Sequence, residues 1–275
     1  MPRIIWLASY PKSGNTWMRA LLANYIMNRA EPVKLAELNE FTLSDTVQGF
    51  YTKAAGKPAD QISLEESVEI RPMVQRLMAD AKPHDHFIKT HSQPAFPNGM
   101  QLIEPSVSLG AIYIARNPMD LVFSYAEHFG MSVDLAIRDL GDEENTTVSP
   151  NDKIVSYLGS WSGHVTRWTE SAKIPVCAIR YEDLLGDPQK TFGGVLKALR
   201  IPVDDERLAR AIRHASFKSL SALEKETGFA ERSPHADKFF RSGTSGEGAA
   251  KLSKRQIKLL KRDHGAAMEK LGYHL

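Results

Sequence analysis

The sequence has few of the features that mark secreted, membrane-spanning or nucleic-acid-binding proteins. Its 275 residues include one cysteine, Cys177, which excludes an internal disulfide and predicts a reducing, cytoplasmic location. We expect neither a signal peptide nor a transmembrane segment, because the apolar runs are short and the first is followed by Ser9 and Lys12. The formal net charge of +2 gives no reason to expect nucleic-acid binding. The sequence is compatible with an oligomer.

What the sequence does contain is an alternation of strand and helix patterns. Hydrophobic residues make up 42% of the chain, and the length suits one large α/β domain or two small ones, of which we predict a single domain over residues 1–275. The apolar runs expected to form buried parallel strands lie at 4–8, 87–88, 111–115 and 176–179. The helical patterns lie at 15–28, 64–80, 118–139, 152–171, 188–199, 205–214 and 253–271. These patterns predict a central parallel sheet flanked by helices.

Three other segments are distinctive. Residues 30–86 contain several weaker helical patterns and are predicted to form a helical insertion on the substrate side. Residues 141–152 are acidic and polar and are expected to form a loop. Residues 228–250 are rich in glycine and serine and poor in apolar residues, which predicts a mobile segment.

Residues 10–17 read Tyr-Pro-Lys-Ser-Gly-Asn-Thr-Trp and join the first predicted strand to the first predicted helix. Such a connection points backbone N–H groups and the positive end of a helix at an anion, and Lys12 adds a full charge. Lys12 precedes Gly14, whereas the NTP-binding P-loop places its lysine after the glycine and follows it with a hydroxyl residue for Mg²⁺. The order favours a phosphate or sulfate site over an ATPase loop.

A second cation, Arg116, follows the apolar run at 111–115, and Ser124 lies two turns into the next predicted helix. Ligands of open α/β sheets bind at the carboxyl ends of the strands, where NTPases commonly carry an acid that helps to hold Mg²⁺. An arginine there binds an anion directly, so we expect an anionic ligand that is handled without a metal. A helix cap or a surface ion pair is the alternative for Arg116 taken alone.

A third motif, at residues 86–91, ends in Lys89, Thr90 and His91. Lys89 and His91 are two residues apart and are expected on the same face of a strand. Histidine is the usual general base near neutral pH, and a lysine beside it can stabilise negative charge on a transferred group. A structural or surface role is the alternative for His91 taken alone.

Together these three motifs resemble those of the PAPS-dependent sulfotransferase family. Residues 10–17 resemble its 5′-phosphosulfate loop, Arg116 and Ser124 its 3′-phosphate motif, and Lys89 and His91 the segment that carries its catalytic histidine. Further matches in family order are Tyr181 in Arg-Tyr-Glu-Asp-Leu, the adenine-side Ser216, Phe217 and Leu220, and the loop of Arg241, Ser242 and Gly243, in which Ser242 replaces a lysine. The short chain looks most like bacterial small-molecule sulfotransferases, including those that act on glycopeptides.

The resemblance implies a P-loop-NTPase-like fold and a specific reaction. A sulfuryl group would pass from PAPS (3′-phosphoadenosine 5′-phosphosulfate) to a hydroxyl of a small-molecule, sugar, lipid or glycopeptide acceptor, leaving PAP, with no metal required. His91 would be the general base, with Lys12, Lys89 and Ser124 as the other catalytic residues. The implied cofactor-binding residues are Lys12, Ser13, Gly14, Asn15, Thr16, Trp17, Arg116, Ser124, Tyr181, Ser216, Phe217, Leu220, Arg241, Ser242 and Gly243.

Two alternative functions are also open to a chain with these motifs. A P-loop kinase or NTPase would need Mg²⁺ and an acidic strand end, and a catalytically inactive nucleotide-binding module would tolerate loss of His91. Two local features also have alternatives: His84, Asp85 and His86 suggest a metal site but favour a surface turn, and the basic stretch 251–262 suggests contact with a membrane or an acidic acceptor but favours the solvated face of a helix.

Overall fold

A parallel sheet forms the centre of the fold. The computed structural model describes residues 2–148, 154–241 and 243–273. The strands in these residues are β1 (Ile4–Ser9), β2 (Leu43–Ser44), β3 (His86–Thr90), β4 (Ser108–Ala115), β5 (Thr146–Val148), β6 (Val155–Tyr157) and β7 (Val176–Arg180). Five of them form a parallel sheet in the order β2-β3-β1-β4-β7, and β5 pairs antiparallel with β6. The predicted fold class, a parallel sheet flanked by helices, is confirmed.

Helices follow most of the strands along the chain. They are α1 (Asn15–Met27), α2 (Leu38–Phe41), α3 (Gln48–Ala55), α4 (Leu64–Glu69), α5 (Arg71–Ala79), α6 (Pro118–Phe129), α7 (Val133–Gly141), α8 (Trp161–Thr166), α9 (Tyr181–Gly186), α10 (Pro188–Ala198), α11 (Asp205–His214), α12 (Phe217–Thr227), α13 (Gly248–Lys251) and α14 (Lys254–Lys270). A π-helical turn, Arg167–Ser171, continues α8. Helices α2 to α5 lie within residues 30–86, whose role as a substrate-side insertion stays a prediction.

The sequence predicted one helix over residues 118–139, and this was wrong. The segment forms α6 and α7, and α6 ends where Gly130 adopts a left-handed φ of 65°. The N–H of Gly130 bonds the carbonyl groups at the end of α6, which is the usual role of a glycine after a helix. The glycine therefore stops a helix that the apolar spacing alone would continue.

The predicted helix over residues 152–171 was wrong in its first part. Val155–Tyr157 is a strand that pairs with Thr146–Val148, in the segment expected to be a loop. Valine, threonine and tyrosine favour strands, but each strand has three residues, so local periodicity did not reveal the pair. Residues 149–153 of these two predicted segments lie outside the described residues.

The structure differs from the predicted helices and strands at three further places. The helix predicted over 64–80 is two helices, because Pro72 at the start of α5 cannot donate the N–H that would continue α4. The edge strand β2 has two residues, too few to give a pattern. Helix α12 begins after Ser216, which caps it by accepting from the N–H of Ser219, so Ser216 has a structural role that the sequence did not indicate.

The chain divides into two compact units, with boundaries inside β4 and β7. The first unit comprises Met1–Tyr10, Thr42–Tyr113 and Gly141–Ala178, and its core contains the fully buried Trp161 and Trp168, as predicted. The second comprises Pro11–Phe41, Ile114–Leu140 and Ile179–Leu275. In its core, Tyr25 of α1 packs edge to face on Phe192 of α10 at 5.9 Å. That residues 1–275 act as a single domain stays a prediction.

The structure bears on the two local features with alternative interpretations, the basic stretch 251–262 and the cluster at residues 84–86. The cations of α14 are exposed while Leu260, Ala267 and Met268 are buried, which fits a solvated helix face. Among the described residues no group of histidine, cysteine or acidic side chains could hold a metal ion, and His86 is buried rather than on a surface turn. None of the helices in the described part of the chain is both long and apolar enough to cross a membrane.

Candidate functional site

The connection from β1 to α1 together with the first residues of α1, here called the Lys12 turn (residues 11–17), has a left-handed backbone at two positions. Lys12 has a φ of 67° and Gly14, the N-cap of α1, a φ of 103°. A non-glycine residue at positive φ costs about 1–3 kcal/mol, and such strain concentrates at functional sites. Gly14 has no side chain to cap α1, so the first turn of α1 has no N-cap side-chain bond, and a helix end of this kind is suited to binding an anion.

Two buried polar atoms at this turn fit a phosphorylated ligand. The Ser13 hydroxyl and the Arg116 Nε atom are buried, and neither has a hydrogen-bond partner among the described residues. Arg116 lies against the turn, because its Nη1 donates to the Lys12 carbonyl at 3.1 Å. Buried polar atoms without partners are rare in folded proteins, and a bound anion is one explanation of the two at this turn. The chemistry of the pair, a hydroxyl and a guanidinium, suits phosphate or sulfate oxygens.

An aromatic side chain forms one side of this group. The Arg116 guanidinium lies 4.5 Å from the centre of the Tyr181 ring, and Trp17 meets the same ring edge to face at 5.6 Å. The predicted residues Lys12, Ser13, Gly14, Trp17, Arg116 and Tyr181 are thus brought together within the second compact unit. Flat rings beside an anion-binding turn suit a nucleotide, whose base stacks on aromatic side chains.

Gly14→Ala is expected to weaken PAP binding and to lower stability. A Cβ at Gly14 would lie 2.8 Å from the Tyr181 ring, and the left-handed φ adds a cost of about 1–2 kcal/mol for a residue with a side chain. Calorimetric titration with PAP and thermal unfolding measure the two effects. Gly56→Ala is the matched control, because Gly56 has a φ of 69° with no atom within 4 Å of its added Cβ. Equal PAP affinity in wild type and Gly14→Ala would contradict the close fit of this turn.

The segment predicted to be mobile, residues 228–250, contacts the Lys12 turn. The Lys12 ammonium lies 3.9 Å from the centre of the Phe239 ring, and the Glu224 carboxylate accepts from the N–H of Phe239 at 2.6 Å. Glu231 pairs with the buried Arg19 of α1 at 2.5 Å and also accepts from the Thr16 hydroxyl at 3.4 Å. These contacts attach the segment to α1, and its mobility stays a prediction.

The remaining cofactor-side predictions are distributed over the same unit. Arg241 is exposed and its Nε lies 3.3 Å from the Glu127 carboxylate, so in this structure it pairs with α6. Gly243, with a φ of 62°, approaches Phe217 so closely that an added Cβ would lie 2.5 Å from the ring. Asn15 and Leu220 are buried, and Ser124 lies half-buried on α6. Ser242 lies outside the described residues.

His91 belongs to the first compact unit and directly follows β3. Its Nδ1 lies 2.8 Å from the main-chain carbonyl of Ser9. A carbonyl only accepts, so Nδ1 carries the proton, and we assign the lone pair of the neutral ring to Nε2 from this partner. The β1–β3 register, with Leu7 opposite Lys89 and Ala8 opposite Thr90, places the end of β1 beside His91. The ring is therefore oriented with its basic nitrogen opposite the sheet contact.

Sequence reasoning missed three residues that contact the predicted ones: His164, Phe239 and Glu231. His164 is fully buried and its Nε2 lies 3.1 Å from the His91 carbonyl. Its spacing from Trp161 and Trp168 places it on the same helix face, and this was the available signal for its burial. The contacts of Phe239 and Glu231 had no signal, because that segment has no periodic pattern.

A parallel sheet with a strand–turn–helix connection and an arginine after a second strand is the architecture typical of α/β nucleotide-binding proteins. The family model described as "Sulfotransferase domain" matches residues 2–272. The chain belongs to the PAPS-dependent sulfotransferase family, as its motifs predicted. This membership decides against the kinase or NTPase alternative.

Relatives and solved structures agree with this assignment. Sulfotransferase 1A1 of Rattus norvegicus is 29% identical over 220 residues, covering 80% of this chain and 67% of that protein. Sulfotransferase 1A1 of Canis lupus familiaris is 26% identical over 276 residues, covering 98% and 85%. A retinol dehydratase in complex with androsterone and the inactive cofactor PAP has the same fold, with a TM-score of 0.65, 16% identity and coverage of 99% and 82%. A mouse sulfotransferase complexed with PAP gives a TM-score of 0.60 at 18% identity, covering 98% and 88%.

Proposed function

We propose that this enzyme transfers the sulfuryl group of PAPS to a hydroxyl of a small-molecule, sugar, lipid or glycopeptide acceptor, with His91 as the general base. The observation that carries the proposal is the contact between His91 Nδ1 and the Ser9 carbonyl. It assigns the lone pair to Nε2 and orients the ring, which are the two properties that a general base needs.

The residues of the Lys12 turn bind the donor in this proposal. PAPS supplies the sulfuryl group and a good leaving group. The Ser13 hydroxyl and the first-turn N–H groups of α1 bind the 5′-phosphosulfate, and Arg116 with Ser124 binds the 3′-phosphate. The Lys12 ammonium neutralises the charge that develops where the donor bond breaks. Trp17, Tyr181 and Phe217 contact the adenine.

The acceptor oxygen attacks sulfur in line with the bond that breaks. His91 Nε2 takes the proton of the acceptor hydroxyl as the acceptor oxygen forms its bond to sulfur. The bond between sulfur and the bridging oxygen of the 5′-phosphate breaks, and its electron pair leaves with PAP. Lys89 stabilises charge on the transferred group. Catalysis then consists of positioning and electrostatics, and no metal is required.

A hydroxyl acceptor is supported by two related structures. The retinol dehydratase structures hold androsterone in one case and retinol in the other, each with PAP. Both molecules carry a hydroxyl. We propose the same chemical class for the acceptor of the present chain, and we expect PAPS-dependent transfer to persist in EDTA.

The test is His91→Ala assayed with two acceptors of different acidity. Transfer to an aliphatic alcohol is expected to fall by about 10²-fold, because the alcohol must lose its proton in the transition state. Transfer to an acidic phenol, which is already ionised in part, is expected to fall less. Product is measured by mass spectrometry, and PAP affinity by calorimetry.

Retained PAP binding separates loss of the base from loss of the fold. His91→Asn is the matched control, since its amide nitrogen lies at the position of Nδ1 and can still donate to the Ser9 carbonyl, but the side chain has no basic nitrogen. It is expected to lose transfer like His91→Ala. Unchanged transfer in either variant, or an equal loss with both acceptors, would contradict the general-base role.

A further inference from the structure

We propose that His164 is a positioning residue for His91: its Nε2–H holds the main-chain carbonyl of His91, and the Tyr113 hydroxyl holds its Nδ1. This inference deepens the proposed function and rests on it, because a residue that positions the base has a kinetic effect only if His91 is the base. Nothing in the reaction requires His164 to touch a substrate.

The hydrogen bonds of His164 allow one arrangement of its protons. Nε2 lies 3.1 Å from the His91 carbonyl oxygen, which can only accept, so Nε2 is the donor. Nδ1 lies 3.0 Å from the Tyr113 hydroxyl, which must therefore donate to it. The result is a chain of two directed bonds from the Tyr113 hydroxyl through the imidazole to the peptide of His91.

Burial makes these two hydrogen bonds rigid and keeps the His164 and Tyr113 side chains neutral. His164 and Tyr113 are both fully buried, and the Tyr10 ring meets His164 edge to face at 5.3 Å. Burial lowers the pKa of His164 to about 3, so the imidazole is neutral at physiological pH and Nδ1 remains an acceptor. Burial also raises the pKa of Tyr113, which keeps its hydroxyl protonated as the donor. Both groups stay in the states that the arrangement needs.

His91 is therefore held at two different atoms. Ser9 orients the imidazole through Nδ1, and His164 fixes the carbonyl of the same residue. The loop after β3 carries His91, so its peptide plane determines where the side chain starts. A displacement of about 1 Å at a reacting group can cost as much as 10²-fold in rate. Loss of the His164 bond would also leave a carbonyl without its donor in a part-buried place.

The test compares two substitutions that differ in reach. In His164→Gln the terminal amide nitrogen lies at the position of Nε2 and can still donate to the His91 carbonyl. In His164→Asn the shorter amide reaches only the Tyr113 side. We expect kcat to fall by about 10-fold or more in His164→Asn, with KM for PAPS and affinity for PAP little changed. We expect His164→Gln to restore a large part of kcat.

A double-variant cycle separates this role from a structural one. In the His91→Ala background, His164→Asn should have no further effect on the residual transfer rate, because its partner function is already absent. An equal kcat loss in both backgrounds would overturn the positioning role, as would equal losses in His164→Gln and His164→Asn. If His91→Ala alone leaves transfer unchanged, the proposed function fails instead. If His91→Ala loses transfer while His164→Asn keeps wild-type kcat, only the present inference fails.

Discussion

Lys12→Met is expected to lower kcat for sulfuryl transfer by about 10²–10³-fold, the cost of removing one preorganised charge from a transition state. Lys12 is the cation of the turn that precedes α1, and its backbone is held at a φ of 67°. A long apolar side chain keeps the packing at this half-buried position and removes only the charge. Affinity for PAP should fall much less, because negative charge on the bridging oxygen develops as the donor bond breaks.

Lys12→Arg is the matched control, since it keeps a cation with a different geometry. It should retain more activity than Lys12→Met, and the two variants should unfold at similar temperatures. Initial rates at saturating PAPS give kcat, and calorimetric titration gives PAP affinity. Wild-type kcat in Lys12→Met would refute the assignment of Lys12 to the breaking bond. A loss confined to KM for PAPS would place its role in ground-state binding.

The second large effect is expected in stability. Arg71→Met should lower the free energy of unfolding by about 3–5 kcal/mol, the usual cost of leaving a buried charge without its partner. Arg71 and Asp45 are both buried, with 3.3 Å between Nη1 and Oδ2. Arg71 also donates to the carbonyl of Val155 at 3.0 Å, and Asp45 accepts from the Thr90 hydroxyl at 2.7 Å.

The double variant Arg71→Met/Asp45→Asn tests the cause of that loss. Asparagine still accepts from Thr90 but carries no charge, so part of the lost stability should return, as happens when both members of a buried ion pair are replaced. Urea unfolding at fixed protein concentration measures all three proteins. No recovery in the double variant would show that the loss arises from packing and from the Val155 contact rather than from the charge of the Asp45 carboxylate.

Local patterns in the sequence predicted the sheet strands and the Lys12 turn because the residues that determine each of them are consecutive in the chain. The apolar run of β1, the glycine of the turn and the helical spacing of α1 are neighbours in the chain. The pairing of β5 with β6 was not predicted because strands of three residues are too short to show a period.

The residues of the candidate site were predicted where they lie in one motif, whereas the contacts between distant motifs were not. Lys12, Arg116 and Tyr181 come from three separate segments, and the structure brings them together, but only the motif resemblance linked them in advance. His164 was not predicted as a partner of His91 because 73 residues separate the two along the chain. Its burial was not predicted either, although its helical spacing from Trp161 and Trp168 indicates it, and its direction toward a particular carbonyl depends on how α8 meets the end of β3.

The bond between His91 and Ser9 has a consequence for transplanting this chemistry. It ends on a main-chain oxygen, so no side-chain replacement at position 9 deletes it. A saturation scan at that position would remove the longer contact of the Ser9 hydroxyl, 3.4 Å from the same nitrogen, and keep the shorter one to the carbonyl. The register of two neighbouring strands, rather than the side chain of any one residue, determines the tautomer of His91. A graft that carried His91 with its flanking residues into another scaffold would need the facing strand in the same register to keep a basic Nε2.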